Sequence, residues 1–324
     1  MEQNSKLTQE LDELCRKFQY SKYMIPRYLK IFGKDRLRDF LKGNERKLMP
    51  SIRVNTLKIT KETLYERLAA KGFELEPVQL VSNAFYVKKS PFSIGATTEY
   101  LLGYYYIQGV APMIPSLLLN ATLNDIVVDM CAAPGGKTIH LAEIMKNQGV
   151  ILALDLNRAR MKSLRSNISR CGVKNVIAIR MDAANLPELK IKNISKILLD
   201  APCSGSGLIP LDPSRKTSRT IEDIKFCSTI QTKLIKAAID SLITGGELVY
   251  STCSIEPEEN EYIIDQALGQ FNIKIMDLGI EFGEGGLTDI FEKKLSPALK
   301  KARRFYPYLQ KTEGFFVCKL QKVG

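Results

Sequence analysis

The sequence contains a single histidine, His140, and no two of its cysteines are spaced as Cys-x-x-Cys. Structural and catalytic zinc sites need clustered Cys and His ligands, so this scarcity argues against a metal centre. No apolar run approaches the ~18 residues of a membrane-spanning helix. The opening residues, Met1-Glu2-Gln3-Asn4-Ser5-Lys6, are polar and do not read as a secretory leader. Internal repeats and low-complexity tracts are also absent. Seven cysteines (Cys15, Cys131, Cys171, Cys203, Cys227, Cys253 and Cys318) are dispersed along the chain. An odd, scattered set of thiols points to a reducing cytoplasm and away from a disulfide framework.

What is present suffices for a globular enzyme-sized molecule. The chain has 324 residues, 45% of them hydrophobic and 25% charged, which suits one large domain or a medium domain with an appendage. The net charge is +12 and the pI is near 9.2. Residues 1–93 hold 19 of the basic residues against 11 acidic ones, so the excess is concentrated there. A basic segment of this kind suits a polyanion such as nucleic acid, although a well-solvated surface explains the charge equally well.

Up to residue 48 the apolar spacing is helical, with Gly33 expected as a break. Ser51–Leu57 then alternates as a strand, Thr60–Lys71 reads as a helix closed by Gly72, and 75–78 and 84–87 read as two further strands. Residues 1–93 are therefore expected to form a helical and α+β accessory unit that contacts RNA. Pro91 begins a connector leading to Tyr104-Tyr105-Tyr106-Ile107-Gln108. From about residue 125, short apolar strands (126–130, 150–154, 176–181, 196–199 and 247–251) alternate with helices. This pattern implies a Rossmann-like, doubly wound parallel sheet over 94–324, with 271–276 and 315–320 supplying an antiparallel pair at the tail.

The turn after the first of these strands reads Cys131-Ala132-Ala133-Pro134-Gly135-Gly136-Lys137-Thr138. Cys131 stands where a phosphate-binding P-loop needs its first glycine, and the dinucleotide fingerprint is absent. S-adenosylmethionine needs instead an acid near its ammonium, a close backbone approach and an acid for its ribose hydroxyls. Asp129, Gly135-Gly136 and Asp155 fit these needs, and Asp182 is placed for the adenine amino group. Each acid alone could equally be a helix cap; with the glycine turn they favour the cofactor.

Cys203 follows the fourth strand in Asp200-Ala201-Pro202-Cys203-Ser204-Gly205-Ser206-Gly207, and Cys253 follows the fifth in Ser251-Thr252-Cys253-Ser254. Neighbouring parallel strands would bring both thiols to one cleft, with Asp200 beside them. Carbon 5 of cytosine is a poor nucleophile. Thiolate addition at carbon 6, with a carboxyl group at nitrogen 3, makes it nucleophilic, and a second thiol can assist the later elimination. A base treated in this way must leave its stack. The remaining cysteines suit small buried core positions.

These motifs resemble the RNA 5-methylcytosine methyltransferases of the Sun/Fmu type and their eukaryotic nucleolar and tRNA relatives. The resemblance runs from Arg53-Val54-Asn55-Thr56-Leu57 through Cys131–Thr138, Asp200–Gly207 and Ser251–Glu261 to Gly314-Phe315-Phe316. It implies Cys253 as nucleophile, Cys203 as the residue aiding product release and Asp200 as their partner. It also implies cofactor contacts at Cys131, Ala132, Ala133, Pro134, Gly135, Gly136 and Lys137, and at Asp155, Arg160, Asp182 and Asp200, beside the Asp129 already placed for the ammonium. Two stretches depart from the pattern, Leu208–Lys216 and Tyr308 after Pro307, and both are expected to bear on RNA choice. Compact size, the basic accessory unit and the lack of a long extension favour tRNA over rRNA as substrate, and a monomer is expected as the working form. The same reaction on rRNA, or an RNA-binding assembly factor with vestigial methyl transfer, are the alternatives. His140 is expected to be structural.

Overall fold

The computed structural model describes residues 2–323. Two helices come first, α1 (Glu2–Phe18) and α2 (Met24–Asn44). Gly33 adopts φ 71° and ψ 171° inside α2 and kinks it, at the break expected from the sequence. Leu14, Tyr28, Phe32, Phe40 and Leu41 of this pair are buried against Ile209, Ile255 and Tyr306. The helices therefore pack on the C-terminal half of the molecule.

Strands β1 (Ser51–Val54), β2 (Glu74–Pro77), β3 (Ala84–Lys89) and β4 (Tyr105–Ile107) form an antiparallel sheet in the order β2-β3-β1-β4. Helix α3 (Lys61–Ala69) covers it through Leu64 and Leu68. The Thr60 hydroxyl caps α3 by accepting from the Thr63 N–H, and Gly72, at φ 83°, turns the chain away. Beyond α4 (Thr98–Leu101), β4 is the tyrosine-rich segment after residue 93. Its pairing with β1 brings it into the small sheet.

Helix α5 (Ile114–Leu118) leads into the large sheet. The elements then alternate as β5 (Ile126–Asp129), α6 (Gly136–Ile144), β6 (Val150–Asp155), α7 (Arg158–Cys171), β7 (Val176–Arg180) and β8 (Lys196–Asp200). Helices α8 (Arg215–Ser218) and α9 (Ile221–Ser241), β9 (Glu247–Thr252) and α10 (Glu261–Gln270) complete the alternation. The five strands are parallel in the order β9-β8-β5-β6-β7. Strand order reverses between β5 and β8, which opens a crevice at their carboxyl ends. Successive residues face opposite layers. Val128, Leu152, Ile197 and Leu248 pack with Leu234, Ile235 and Ile263, whereas Val127, Ile151, Leu198 and Val249 pack with Ile114, Ile139 and Leu141.

The tail adds β10 (Ile273–Ile275), β11 (Glu284–Gly285), β12 (Asp289–Ile290), β13 (Lys293–Lys294), β14 (Arg303–Phe305), α11 (Pro307–Gln310) and β15 (Phe315–Lys322). Strand β15 runs antiparallel to β9 and carries β14 and β10, so the expected tail pair is present in a mixed sheet. The Arg53–Leu57 motif is a joint between the two sheets. Buried Arg53 donates through Nε and Nη2 to Glu143 on α6 at 3.0 and 3.1 Å, and Asn55 donates to the carbonyls of Gly103 and Cys171. Removing one partner of such a buried pair costs about 3–5 kcal/mol. Among the described residues, no helix is long and apolar enough to cross a membrane.

Candidate active site

The carboxyl ends of β5 and β8 meet the small sheet at a cavity of about 250 Å³. Its walls include Cys131, Ala132, Ala133, Pro134, Gly136, Lys137 and Asp200, together with Tyr106, Gln108 and Pro112. Seven of the expected site residues therefore share one space. The contribution from β4 was not foreseen, although the run of three tyrosines before Gln108 was its signal. Gly135, at φ 111°, makes the sharp turn into α6. A Cβ on Gly136 would lie 3.1 Å from Tyr106 Cε1 and 3.3 Å from Gln108 Cδ, so the bare backbone keeps this wall open.

The acids around the turn are held individually. Asp129 is buried; its Oδ2 accepts from the Thr138 hydroxyl at 2.7 Å, while its Oδ1 has no partner. Burial pushes its pKa up to about 6. Asp155 accepts the N–H groups of Ala133 and Asn157 at 3.2 and 2.8 Å, and Arg160 lies 3.5 Å from it while donating to the Ala133 carbonyl. Asp182 accepts from the Ala184 N–H at 2.9 Å and caps the short helical turn that follows it. Asp155 and Asp182 thus take local backbone partners, and neither lines the cavity. His140 is buried and pushed well below the usual imidazole range, chiefly by that burial, as a structural residue would be.

Asp200 sits between the cavity and the thiols. Its Oδ2 accepts from Lys137 Nζ at 2.6 Å and its Oδ1 from Ser251 Oγ at 2.7 Å, so its orientation is fixed from both sides. Beyond it, Cys203 Sγ and Cys253 Sγ stand 3.0 Å apart. Adjacency of β8 and β9 brings them together, with Leu199 opposite Tyr250 and Asp200 opposite Ser251. The Cys203 thiol is pushed well above its ordinary pKa, first by the contact with Cys253 and then by burial. The two loops also close on each other through backbone. Gly207 N–H donates to the Cys253 carbonyl at 3.0 Å, and Gly314 N–H donates to the Gly207 carbonyl at 2.9 Å. A Cβ on Gly207 would lie 2.0 Å from the Gly314 oxygen.

Both departures noted in the sequence have structural partners. Tyr308 packs against Gly43, where a Cβ would come within 2.6 Å of its own Cβ, and its hydroxyl accepts from Arg36 Nε at 2.9 Å. It therefore joins α2 to the segment between β14 and β15 of the large sheet. Within 208–216, Ile209 is buried against α1 and α2, and Arg215 donates to the Ser204 carbonyl at 3.0 Å. Sequence reasoning missed one residue at the thiol loops, the buried carboxylate Glu259. Among the described residues, no cluster of three or more His, Cys, Asp or Glu is placed to hold a metal ion.

The parallel sheet, the turn after its first strand and the carboxylates around it define the methyltransferase class of α/β fold. A family model described as "16S rRNA methyltransferase RsmB/F" matches residues 116–321, and one for the "N-terminal domain of 16S rRNA methyltransferase RsmF" matches 21–110. The chain belongs to the RsmB/F family. It is 40% identical over 310 residues to the human "28S rRNA (cytosine(4447)-C(5))-methyltransferase", covering 94% of this chain and 38% of the relative. It is 36% identical to "Ribosomal RNA small subunit methyltransferase F" of Vibrio cholerae, covering 89% of this chain and 60% of that protein. The chain thus spans less than two thirds of the length of these relatives. A crystal structure of a "Methyltransferase Homolog Protein" from Pyrococcus horikoshii superposes with a TM-score of 0.88 at 41% identity, covering 97% of this chain and 99% of that one. NSun6 from the same organism, solved with SFG, gives 0.84 at 28% identity and covers 93% and 97% of the two chains.

Proposed function

We propose that the chain is an S-adenosylmethionine-dependent RNA (cytosine-C5)-methyltransferase in which Cys253 attacks the base. The observation that carries this reading is the meeting of two thiols at adjacent strand ends, 3.0 Å apart, beside an oriented Asp200. A lone structural cysteine needs no such partner. The names of the relatives, RNA (cytosine-C5)-methyltransferases in human and fission yeast, give independent support.

The donor's fit is supported by three features: the unpartnered buried oxygen of Asp129, the open glycine wall at Gly136 and the cavity shared with Asp200. Asp129, Cys131–Lys137, Asp155, Arg160 and Asp182 would hold it. When bound, the donor supplies an electrophilic methyl group on a cationic sulfur.

The side chains do the remaining work. The Cys253 thiol gives its proton to solvent and its sulfur bonds to carbon 6 as the carbon 5–carbon 6 double bond opens, while Asp200 supplies a hydrogen bond or proton at nitrogen 3. The ring electron pair then resides at carbon 5, which becomes methylated. Bonding of the Cys253 sulfur to carbon removes the thiol contact that raises the Cys203 pKa, so Cys203 gives its own proton to solvent and then takes the hydrogen on carbon 5 as a proton. The carbon 6–sulfur bond breaks, Cys253 departs with the electron pair and aromaticity returns. Lys137 keeps Asp200 in place through the 2.6 Å contact.

Residues 1–93 are assigned to RNA contact and 94–324 to the chemistry. Ribosomal RNA is the first substrate to test because the human, fission yeast and Vibrio relatives bear rRNA in their names. Transfer RNA, favoured by compact size, is the other arm. Purified protein is incubated with methyl donor and total rRNA or tRNA, and 5-methylcytosine is mapped by bisulfite sequencing. New 5-methylcytosine in either pool is expected; none in both overturns the reading.

A further inference from the structure

Glu259 stands six residues beyond Cys253, at the end of the short turn Pro257–Glu259 that precedes α10. It is fully buried, and burial pushes its pKa up. Its Oε1 accepts from the backbone N–H of Ser204 at 2.7 Å and from Gln231 Nε2 at 3.2 Å. Its Oε2 accepts from the hydroxyls of Ser204 and Ser254, each at 2.5 Å. None of these four donors is a cation. A single carboxylate thus grips the residue after Cys203 and the residue after Cys253.

The surroundings concentrate on this one group. Ser254 Oγ lies 3.4 Å from Ser204 Oγ and 3.1 Å from Ser206 Oγ. Gln231 also donates to the Pro202 carbonyl at 2.8 Å, and the Tyr250 hydroxyl donates to the Glu259 carbonyl at 2.6 Å. Burying a carboxylate without a cation is expensive, and packed apolar residues would join two loops at lower cost. What a multiply bonded carboxylate provides is fixed direction, since each lone pair holds one donor at a set angle. A thiol that must reach carbon 6 of a base tolerates little displacement; a shift of about 1 Å at a reacting group can cost about 10²-fold in rate.

We propose that Glu259 is a positioning residue for the covalent step: by holding Ser204 and Ser254 on one carboxylate, it sets the relative placement of the Cys203 and Cys253 sulfurs. This rests on the reaction proposed above. Glu259 hydrogen-bonds to Ser204, Ser254 and Gln231 and to neither Cys203 nor Cys253, so its action is exerted through the two loops.

The test uses the full chain and RNA carrying 5-fluorocytidine, in which fluorine at carbon 5 blocks the final elimination and traps the adduct. Glu259→Gln keeps the shape of the side chain but turns one acceptor into a donor facing the serine hydroxyls. Glu259→Asp keeps the charge and withdraws it by one methylene. Thr220→Ala, which removes the cap of α9 at an exposed site, serves as a control for general loss of stability. Measured together are the single-turnover rate of adduct formation, kcat, KM for RNA, S-adenosylmethionine affinity and Tm. Glu259→Gln is expected to slow adduct formation and kcat by about 10²-fold. RNA KM and donor affinity should change by less than about threefold, and Glu259→Asp should recover part of the rate. A rate loss no larger than in Thr220→Ala after matching for Tm, or donor affinity falling in step with kcat, overturns the positioning role. Should Glu259→Gln fail to fold, Glu259→Asp decides by the same split. If the wild-type chain forms no adduct, the reaction itself is refuted, and this role falls with it. If the wild type forms one and Glu259→Gln forms it equally fast, only the positioning role is refuted.

Discussion

The turn after β5 and the two loops after β8 and β9 stand side by side in one crevice, yet they are built in opposite ways. The β5 turn is shaped by what it leaves out: bare glycine backbone at 135 and 136, and a buried Asp129 oxygen with no partner. The thiol loops are shaped by what they add, with Ser204, Ser206, Ser254 and Gln231 converging on the buried carboxylate of Glu259 or on one another. A surface that receives a removable ligand benefits from open space and unsatisfied groups. Groups that must make and break a covalent bond benefit from rigid support. Asp200 belongs to both, pinned by Lys137 from the β5 turn and by Ser251 from β9.

That contrast can be broken residue by residue. Cys253→Ala should remove methyl transfer altogether, by about 10³-fold or more, and should leave donor affinity intact. Calorimetric titration with S-adenosylmethionine beside a tritium-transfer assay separates the two. Asp200→Asn should lower kcat by about 10²–10⁴-fold, the range for a lost acid–base group. It should also loosen Lys137, so a modest rise in donor Kd is expected alongside.

Gly207→Ala tests the tight side of the comparison through stability. The three atoms nearest a Cβ there are backbone atoms of Gly314 and Cys253, so overpacking should cost about 1–3 kcal/mol. A Tm equal to wild type would contradict the close approach of the loops. Substitution at Gly33, where a Cβ meets nothing within 4 Å, isolates the separate cost of positive φ.

Asp129 tests the open side through pH, and its effect is the smallest. Burial raises its folded pKa to about 6, above the ordinary aspartate value of 3.8. Its contribution to stability is therefore fully present below the unfolded value and is lost as pH rises through the folded one. Between pH 4 and 6 the wild type should lose stability on alkalinisation relative to Asp129→Asn, as followed by Tm. Binding of the cationic donor needs the ionised form, so affinity should weaken as pH falls below about 6, and Asp129→Asn should flatten that dependence.

Much of this was legible in the sequence because the relevant signals are periodic or local. Alternation of apolar strands and helices from 126 to 251 gave the parallel sheet, and strand adjacency gave the meeting of Cys203 with Cys253. The kink at Gly33 and the helix end at Gly72 follow from single residue types. Segments of two or three residues, such as Glu284–Gly285 and Arg303–Phe305, carry no period and were invisible. The wall contributed by Tyr106 and Gln108 depends on β4 pairing with β1, a contact between segments some 50 residues apart that no local pattern encodes. Glu259 was hidden for a similar reason. A glutamate at the start of a helix reads as an exposed first-turn acid, and only the approach of the two serine-bearing loops turns it into their common acceptor.

The central claim is that one thiol attacks and the other releases. The most direct measurement exposes Cys203→Ala and Cys253→Ala to substrate RNA with methyl donor and looks for a denaturant-resistant protein–RNA band. Mass spectrometry of the band then locates the linked residue. A band in Cys203→Ala, linked through Cys253 and absent from Cys253→Ala, is the expected result. A band that appears in Cys253→Ala and is linked through Cys203 would reverse the roles and contradict the account.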